Sequence, residues 1–482
     1  MTLNASVNET KATMSDAWKF AFSTGDKISL TNNQVTAGTY YELTRGSDGN
    51  FTGTVTAPSA AATWYAYYPS NIVSLSGQTG TQTGTAAYCA LAGKQENVAA
   101  GSKNLNITLS FQTAILVIDN QKGAIDINVK TSDGKWVSGF TAKENDATFD
   151  IAKSETKVSL LTATAAGTYY VVVPAGMQIA VYDGVAKIKE TKEVGLSAGK
   201  YYNIYAGFID LGVKTSAGKP LYWAECNLGA SKPGDLGDYY MWGATALMYS
   251  AVDYSKTDGA FTIVTENPYG SNYKNTWDAS LGFDFNNVPF ADGVFNSTSN
   301  KNVFTKYTTI DTYAKSGTPD NITTLQPEDD AATAKNANWR TPTYDEFVAL
   351  SNNCVLVWVS DYNSTGNAGY IVYKAKNEAD KGKANMNGTW KMWDAANSKY
   401  ITNTGSEPTG YSTSDIHIFL PAAGDGNKTK LENRNGLGSY CSSNLNTSRN
   451  DYVGTVIFNK SSFNIIYNNS RSYGFSIRPV TE

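Results

Sequence analysis

The chain of 482 residues has one histidine, His417, and four cysteines, Cys89, Cys226, Cys354 and Cys441. A Ser-His-acid triad would have to run through His417. That residue sits between Ile416 and Ile418, the pattern of a strand position facing away from a core. A metal site built on several histidines is excluded. No two cysteines form a Cys-x-x-Cys pair, so neither a zinc site nor a dithiol redox motif is encoded. A Cys226–Cys354 bridge and four buried thiols both fit the sequence. Cys441 has neutral neighbours, which give no reason for a depressed thiol pKa. Ser442-Ser443 lacks the Gly-x-Ser-x-Gly turn that would expose a nucleophile. These residues predict no catalysis, no cofactor and no resident metal.

Two polar stretches and one aromatic stretch could bind a ligand. Gln326-Pro327-Glu328 flanks a proline with side-chain oxygens, and Asp329-Asp330 follows. The tripeptide resembles the one with which true C-type lectins hold calcium and sugar hydroxyls together. No Trp-Asn-Asp partner follows, which favours a structural role for the string, with a structural cation as a second reading. Asp425-Gly426-Asn427 through Asn435-Gly436 is rich in oxygen ligands but lacks the order of an EF-hand loop. The segment 375–411 reads as a long polar loop carrying Trp390, Trp393, Tyr400 and Tyr411. Such rings offer flat apolar faces to sugars while their N–H and O–H groups stay free to hydrogen-bond. The competing reading buries them as a satellite core. These four residues are the expected ligand contacts.

The element that must organise the C-terminal part is Trp339–Leu350. Thr343 and Glu346 have capping-box spacing, Pro342 stands just outside, and Asp345 and Glu346 suit the positive end of the helix dipole. Phe347 and Leu350 then share a face, and Asn352-Asn353 is the expected stop. Nearly everything else reads as strand and loop, so this helix must pack on a sheet.

Length implies several domains. A net charge of −4 offers no basic field for nucleic acid. The 31 tyrosines and 42 glycines favour a β-rich extracellular protein. No stretch approaches the ~18 apolar residues of a membrane span. We expect that a secretion signal has been removed and that Met1 was added for expression. Expected strands are Ala17–Phe22, Lys27–Leu30, Phe51–Val55, Thr63–Tyr68, the alternating Leu105–Phe111, the apolar run Ala114–Ile118, Ile125–Val129, Thr168–Val173, Ile179–Tyr182 and Tyr201–Tyr205. Residues 71–102 read as loop.

Trp18, Gly25-Asp26-Lys27-Ile28, Phe51-x-Gly53, Trp64-Tyr65-Ala66-Tyr67-Tyr68-Pro69 and Leu109–Asp119 resemble the fimbrillin family of Bacteroidetes pilus and surface proteins. That resemblance implies two β-sandwich modules, 1–100 and 101–207. Tyr222–Ala230, Gly237–Gly243, Thr324–Ala332, the capped helix, Ile418–Gly424, Gly438–Ser443 and Tyr473–Val480 are together similar to the Fibrobacter major paralogous domain. This implies an α+β, C-type-lectin-like domain over 208–482, related to the formylglycine-generating enzyme; Cys441 stands where that family usually carries Trp. The fold class expected is therefore mainly β. The resemblance further implies a cell-surface adhesion protein, a tip subunit of a type V pilus. It would be exported as an outer-membrane lipoprotein precursor and touch a membrane only through a lipid anchor later removed. Its partners would be a stalk subunit, by donor-strand exchange, and a surface glycan or protein. A glycan-holding surface protein outside any pilus and a stalk pilin are the alternatives. Strand donation implies a removable first strand, Thr2–Thr10, cut after Lys11.

Overall fold

A computed structural model describes residues 2–7, 22–120, 124–191, 194–230, 232–246, 249–251, 262–263, 287–296, 301–402, 405–427 and 430–482. Most of the expected strand at Ala17–Phe22, with Trp18, and Lys11 lie outside these residues. The chain divides into two compact units, Met1–Ala206 and Gly207–Glu482.

The first unit is mainly β. Its strands are β1 (Thr2–Val7), β2 (Lys27–Asn32), β3 (Tyr41–Arg45), β4 (Phe51–Thr52), β5 (Ala62–Tyr68), β6 (Ile72–Ser74), β7 (Leu91–Val98), β8 (Asn104–Phe111), β9 (Thr113–Asn120), β10 (Ile125–Thr131), β11 (Trp136–Ala142), β12 (Phe149–Ser154), β13 (Leu161–Ala163), β14 (Gly167–Pro174), β15 (Ile179–Asp183), β16 (Ala186–Glu190) and β17 (Tyr201–Ala206). The first sheet closes on itself in the order β1-β4-β3-β2-β5-β7-β8. Its interior is filled by alternate residues, among them Leu105, Ile107 and Leu109 of β8, as the period-2 pattern requires. A second sheet runs β12-β11-β10-β15-β16, with β13 on β10 and β6 on β11, and a third runs β14-β9-β17. The apolar run of β9 buries Ala114, Ile115, Leu116 and Ile118, so neighbouring residues on both faces are covered.

The structure corrects the expected loop at 71–102 and the break near residue 100. Leu91–Val98 is a strand, and β6 pairs with β11 beyond the break. β7 escaped notice because Lys94, Gln95 and Glu96 interrupt its apolar residues at its exposed end. β7 and β8 are neighbours in one sheet, so residue 100 is a hairpin turn rather than a module boundary.

Among the described residues, no strand pairs with the outer edge of β14. Instead the side-chain amide of Gln78 accepts from Val172 N at 2.7 Å and donates to Val172 O at 2.9 Å. Gly80 O accepts from Tyr170 N at 2.9 Å. Gln78 is buried, so a glutamine amide satisfies a peptide unit that would otherwise be orphaned.

Among the described residues, the second unit mixes sheets with two α-helices. It contains β18 (Phe208–Ile209), β19 (Tyr222–Ala224), β20 (Tyr249–Ala251), β21 (Thr262–Ile263), β22 (Ala291–Asn296), β23 (Lys301–Phe304), α1 (Ala331–Lys335), α2 (Tyr344–Asn353), β24 (Cys354–Val359), β25 (Gly369–Lys374), β26 (Lys383–Met386), β27 (Thr389–Asp394), β28 (Lys399–Thr402), β29 (His417–Pro421), β30 (Asp425–Asn427), β31 (Lys430–Glu432), β32 (Gly438–Leu445), β33 (Tyr452–Asn459), β34 (Ser462–Ser470) and β35 (Val480–Thr481). A six-stranded sheet runs β28-β27-β26-β24-β25-β29. Sheets of three run β18-β19-β35 and β32-β33-β34. Helix α2 buries Phe347 and Leu350 completely, with the Phe347 ring 5.3 Å from that of Trp223. It runs directly into β24 through its C-cap, Cys354.

The expected polar loop at 375–411 is corrected as well. It holds three strands of the six-stranded sheet, β26 to β28. Asn387 and Gly388 turn the first hairpin, both with positive φ (53° and 83°), the geometry of a two-residue turn that matches strand twist.

Candidate functional site

A cleft of about 620 Å³ opens at the start of α2. The capping box builds its floor. Thr343 Oγ1 accepts from Glu346 N at 3.2 Å, and Glu346 Oε2 accepts from Thr343 N at 2.8 Å. Glu346 is also gripped by Arg340, Nη1 to Oε2 at 2.7 Å and Nη2 to Oε1 at 2.6 Å. Arg340 Nη2 reaches Glu482 at 2.9 Å, and Glu482 meets Lys219 at 3.2 Å. This chain of charges fixes the helix start to the strand end at Val480, whose N–H and C=O both bond to Arg340. Arg340 holds the Glu482 carboxyl below its usual range.

Asp330 lines the same cleft. It accepts from Thr341 N and Thr341 Oγ1, both at 2.7 Å, and from Ala332 N at 2.9 Å. Burial pushes its carboxyl above the ordinary aspartate range in spite of those bonds. Asp329 accepts from Lys306 Nζ at 2.5 Å, and from Tyr307 Oη at 2.5 Å. The acidic string after Pro327 is therefore tied to protein donors. Among the described residues, no three His, Cys, Asp or Glu side chains converge as metal ligands.

Two charges in the cleft remain without an ion-pair partner among the described residues, Lys214 and Asp345. Thr343 and Asn444 line the cleft too, with side chains already bonded to Glu346 N, Tyr344 N and Thr324 Oγ1.

The four aromatic residues expected to contact a ligand lie on two faces of the six-stranded sheet and beside it. Trp390 and Trp393 are three residues apart on β27, so they stand on opposite faces of the sheet. Trp393 is 6% exposed and packs on Tyr400, its register partner, with ring centroids 5.0 Å apart. Tyr400 Oη reaches Ser351 O on α2 at 3.5 Å. Trp390 and Tyr411 are half-buried against the cluster of Val355, Ile371, Tyr373 and Phe419. Tyr411 Oη donates to Asp380 at 2.7 Å and accepts from Lys376 N at 2.8 Å. Met392 and Ile401, paired across β27 and β28, are 45% and 44% exposed on the Trp390 face. Neither had been singled out from the sequence; strand alternation once β27 is recognised would have found them.

His417 bridges two partners. Its Nδ1 donates to Asp415 O at 2.8 Å, which leaves Nε2 to accept from Tyr362 Oη at 2.9 Å. Burial pushes its pKa below the ordinary 6.5. Protonation makes Nε2 a donor to the Tyr362 hydroxyl and places a charge on a buried ring, so this site contributes stability above pH ~6.5 that is lost as pH falls toward the folded-state value. As the chain's one histidine, its ring-proton NMR signal is unambiguous; a midpoint below 6.5 is expected, and one at or above 6.5 contradicts the burial argument.

All four cysteines are free thiols, which removes the Cys226–Cys354 bridge. Cys354 is fully buried, and burial pushes its thiol up to about 12, as it does that of Cys89.

No family model matches the sequence, and no curated protein resembles it. Solved structures share weak likenesses. A candidate cell adhesion protein from Bacteroides ovatus is 13% identical, over 42% of this chain and 91% of that one, with a TM-score of 0.25. A fimbrial protein from the same organism is 11% identical over 100% of this chain and 98% of its own, with a TM-score of 0.19. A candidate polysaccharide-binding protein from Bacteroides thetaiotaomicron is 13% identical, over 45% and 93% of the two chains, with a TM-score of 0.23. Scores this low leave function to be read from the chain's own residues.

Proposed function

We propose that this chain is a cell-surface adhesion protein that caps a type V pilus: its first unit joins a stalk subunit and its second recognises a surface glycan or protein. The observation that carries the proposal is β1. It lies antiparallel to β4 and parallel to β8, and so completes the closed first sheet. Removal of β1 by cleavage after Lys11 opens a groove between β4 and β8, with unpaired backbone groups on both rims. A strand from a stalk subunit fills such a groove in register.

The strand at the other end of the second unit is unsuited to donation. Val480 pairs with Arg340 and Trp223, and Arg478 donates to Ala224 O, Glu225 O and Phe419 O at 3.0, 2.7 and 2.6 Å. Withdrawing it would strip a fully buried guanidinium of its partners. The first unit thus accepts a strand, and β35 stays in its sheet. The proposed ligand contacts are Trp390 and Tyr411, with the α2 cleft as a second polar pocket. Export as a lipoprotein precursor belongs to the same reading.

Mixed with stalk subunits and a trypsin-type protease, the protein should form capped pairs and shorten the polymers in proportion to its concentration. Filaments of this chain alone in electron micrographs, with the second unit intact, would contradict the proposal and favour a stalk role. Binding to glycan without any complex with stalk subunits would favour a surface glycan-holding protein.

A further inference from the structure

Strands β8 and β9 are separated by Gln112 alone, whose N–H donates to Ala90 O at 2.8 Å. Each half of this stretch carries one parallel partner. β1 lies along β8 from Thr2↔Asn104 to Val7↔Leu109. β17 lies along β9 from Tyr201↔Ile115 to Ala206↔Asn120. Among the described residues these are the two parallel pairs of the first unit; its other pairings are antiparallel.

The direction of the partners decides how they respond to a pull. The first unit's N-terminal strand begins beside the start of β8, and its last strand ends beside the end of β9, at the border with the second unit. Tension between those two points passes from β1 to β8 across one ladder, through Gln112 into β9, and from β9 to β17 across the other. It drags β1 one way and β17 the other, each parallel to its own axis. A ladder loaded lengthwise shares the force among all its bonds, which must fail together. A ladder pulled apart from one end loses its bonds singly. Two further bonds, Gly199 N to Thr113 O at 2.8 Å and Ile115 N to Lys200 O at 2.9 Å, extend the β17 ladder past its first residue. The β9 side of this ladder is mostly buried, which limits the access of water to its bonds from that side.

We propose that the first unit is a tension-bearing splice, in which the β8–β9 stretch transmits load from the N-terminal strand to the second unit through two parallel ladders held in shear. This property belongs to the first unit with β1 in place and does not rest on the proposed pilus role.

Single-molecule force spectroscopy on the full chain tests it by changing only the grip. With handles at both chain ends, the first unit releases about 70 nm and the second about 95 nm at roughly 3.4 Å per residue, so the two are told apart by length. With handles at the N-terminus and on a click-chemistry side chain in place of the exposed Lys103, β1 and β8 are pulled from the same end and unzip. The end-to-end grip should give one abrupt release of the first unit, at a force several-fold above that needed to strip β1 in the second grip. Equal forces in the two grips, or gradual lengthening of the first unit in small steps under end-to-end load, would overturn the proposal.

Discussion

Replacing Trp393 by alanine is expected to destabilise the second unit by about 3–5 kcal/mol, the usual cost of emptying a large aromatic site in a core. The ring is 6% exposed and packs on Tyr400, which in turn contacts α2 through Ser351 O. Its loss leaves a void between the sheet and the helix that neither can close without moving. Trp390→Ala removes a half-buried ring from the opposite face and should cost under about 1.5 kcal/mol, because much of its apolar area never leaves water. Urea denaturation of both variants, followed by circular dichroism, separates the two. If the losses are equal, the assignment of faces is wrong. On the proposed function, Trp390→Ala also weakens glycan binding at unchanged fold.

Glu346→Ala should cost about 3 kcal/mol, since it leaves Arg340 without its bidentate partner and Thr343 N without its acceptor. Glu346→Gln keeps an oxygen for Thr343 N while discarding the charge, and should recover a substantial part of that loss. Because Arg340 also binds Val480 and Glu482, the damage reaches the three-stranded sheet β18-β19-β35. Hydrogen exchange should quicken at Val480 and Trp223 in the alanine variant. Unchanged protection at both would mean that the ion pair is incidental to the strand end.

The sequence carried some of this plainly. Thr343-x-x-Glu346 is a local signal whose two hydrogen bonds close within four residues, and the helix ends at Asn353 as expected. The alternation of β8 and the apolar run of β9 were equally legible, because burial on one face or on both leaves a direct mark on residue type. The surroundings of the four aromatic residues were not legible, for an identifiable reason. Asn387-Gly388 is a hairpin turn signal, and passing over it turned β26 to β28 into a loop. In a loop, Trp390 and Trp393 can point together; in a strand, a separation of three puts them on opposite faces. The α2 cleft was illegible for another reason: its walls come from residues near 214, 324, 340, 443 and 482, and only the folded chain brings these together.

Gln78 has a consequence for traffic between chains. On the proposed function, the first unit captures a foreign strand at one place while sharing its surroundings with many chains seeking an edge. Any bare edge would be a rival address. On β14 that address is already taken, by a side chain that presents one acceptor and one donor at peptide spacing to Val172. The amide is covalently held and buried, so an incoming strand would have to displace a partner whose local concentration never falls. At Val172 the edge is closed without adding a single residue of strand, by one glutamine side chain.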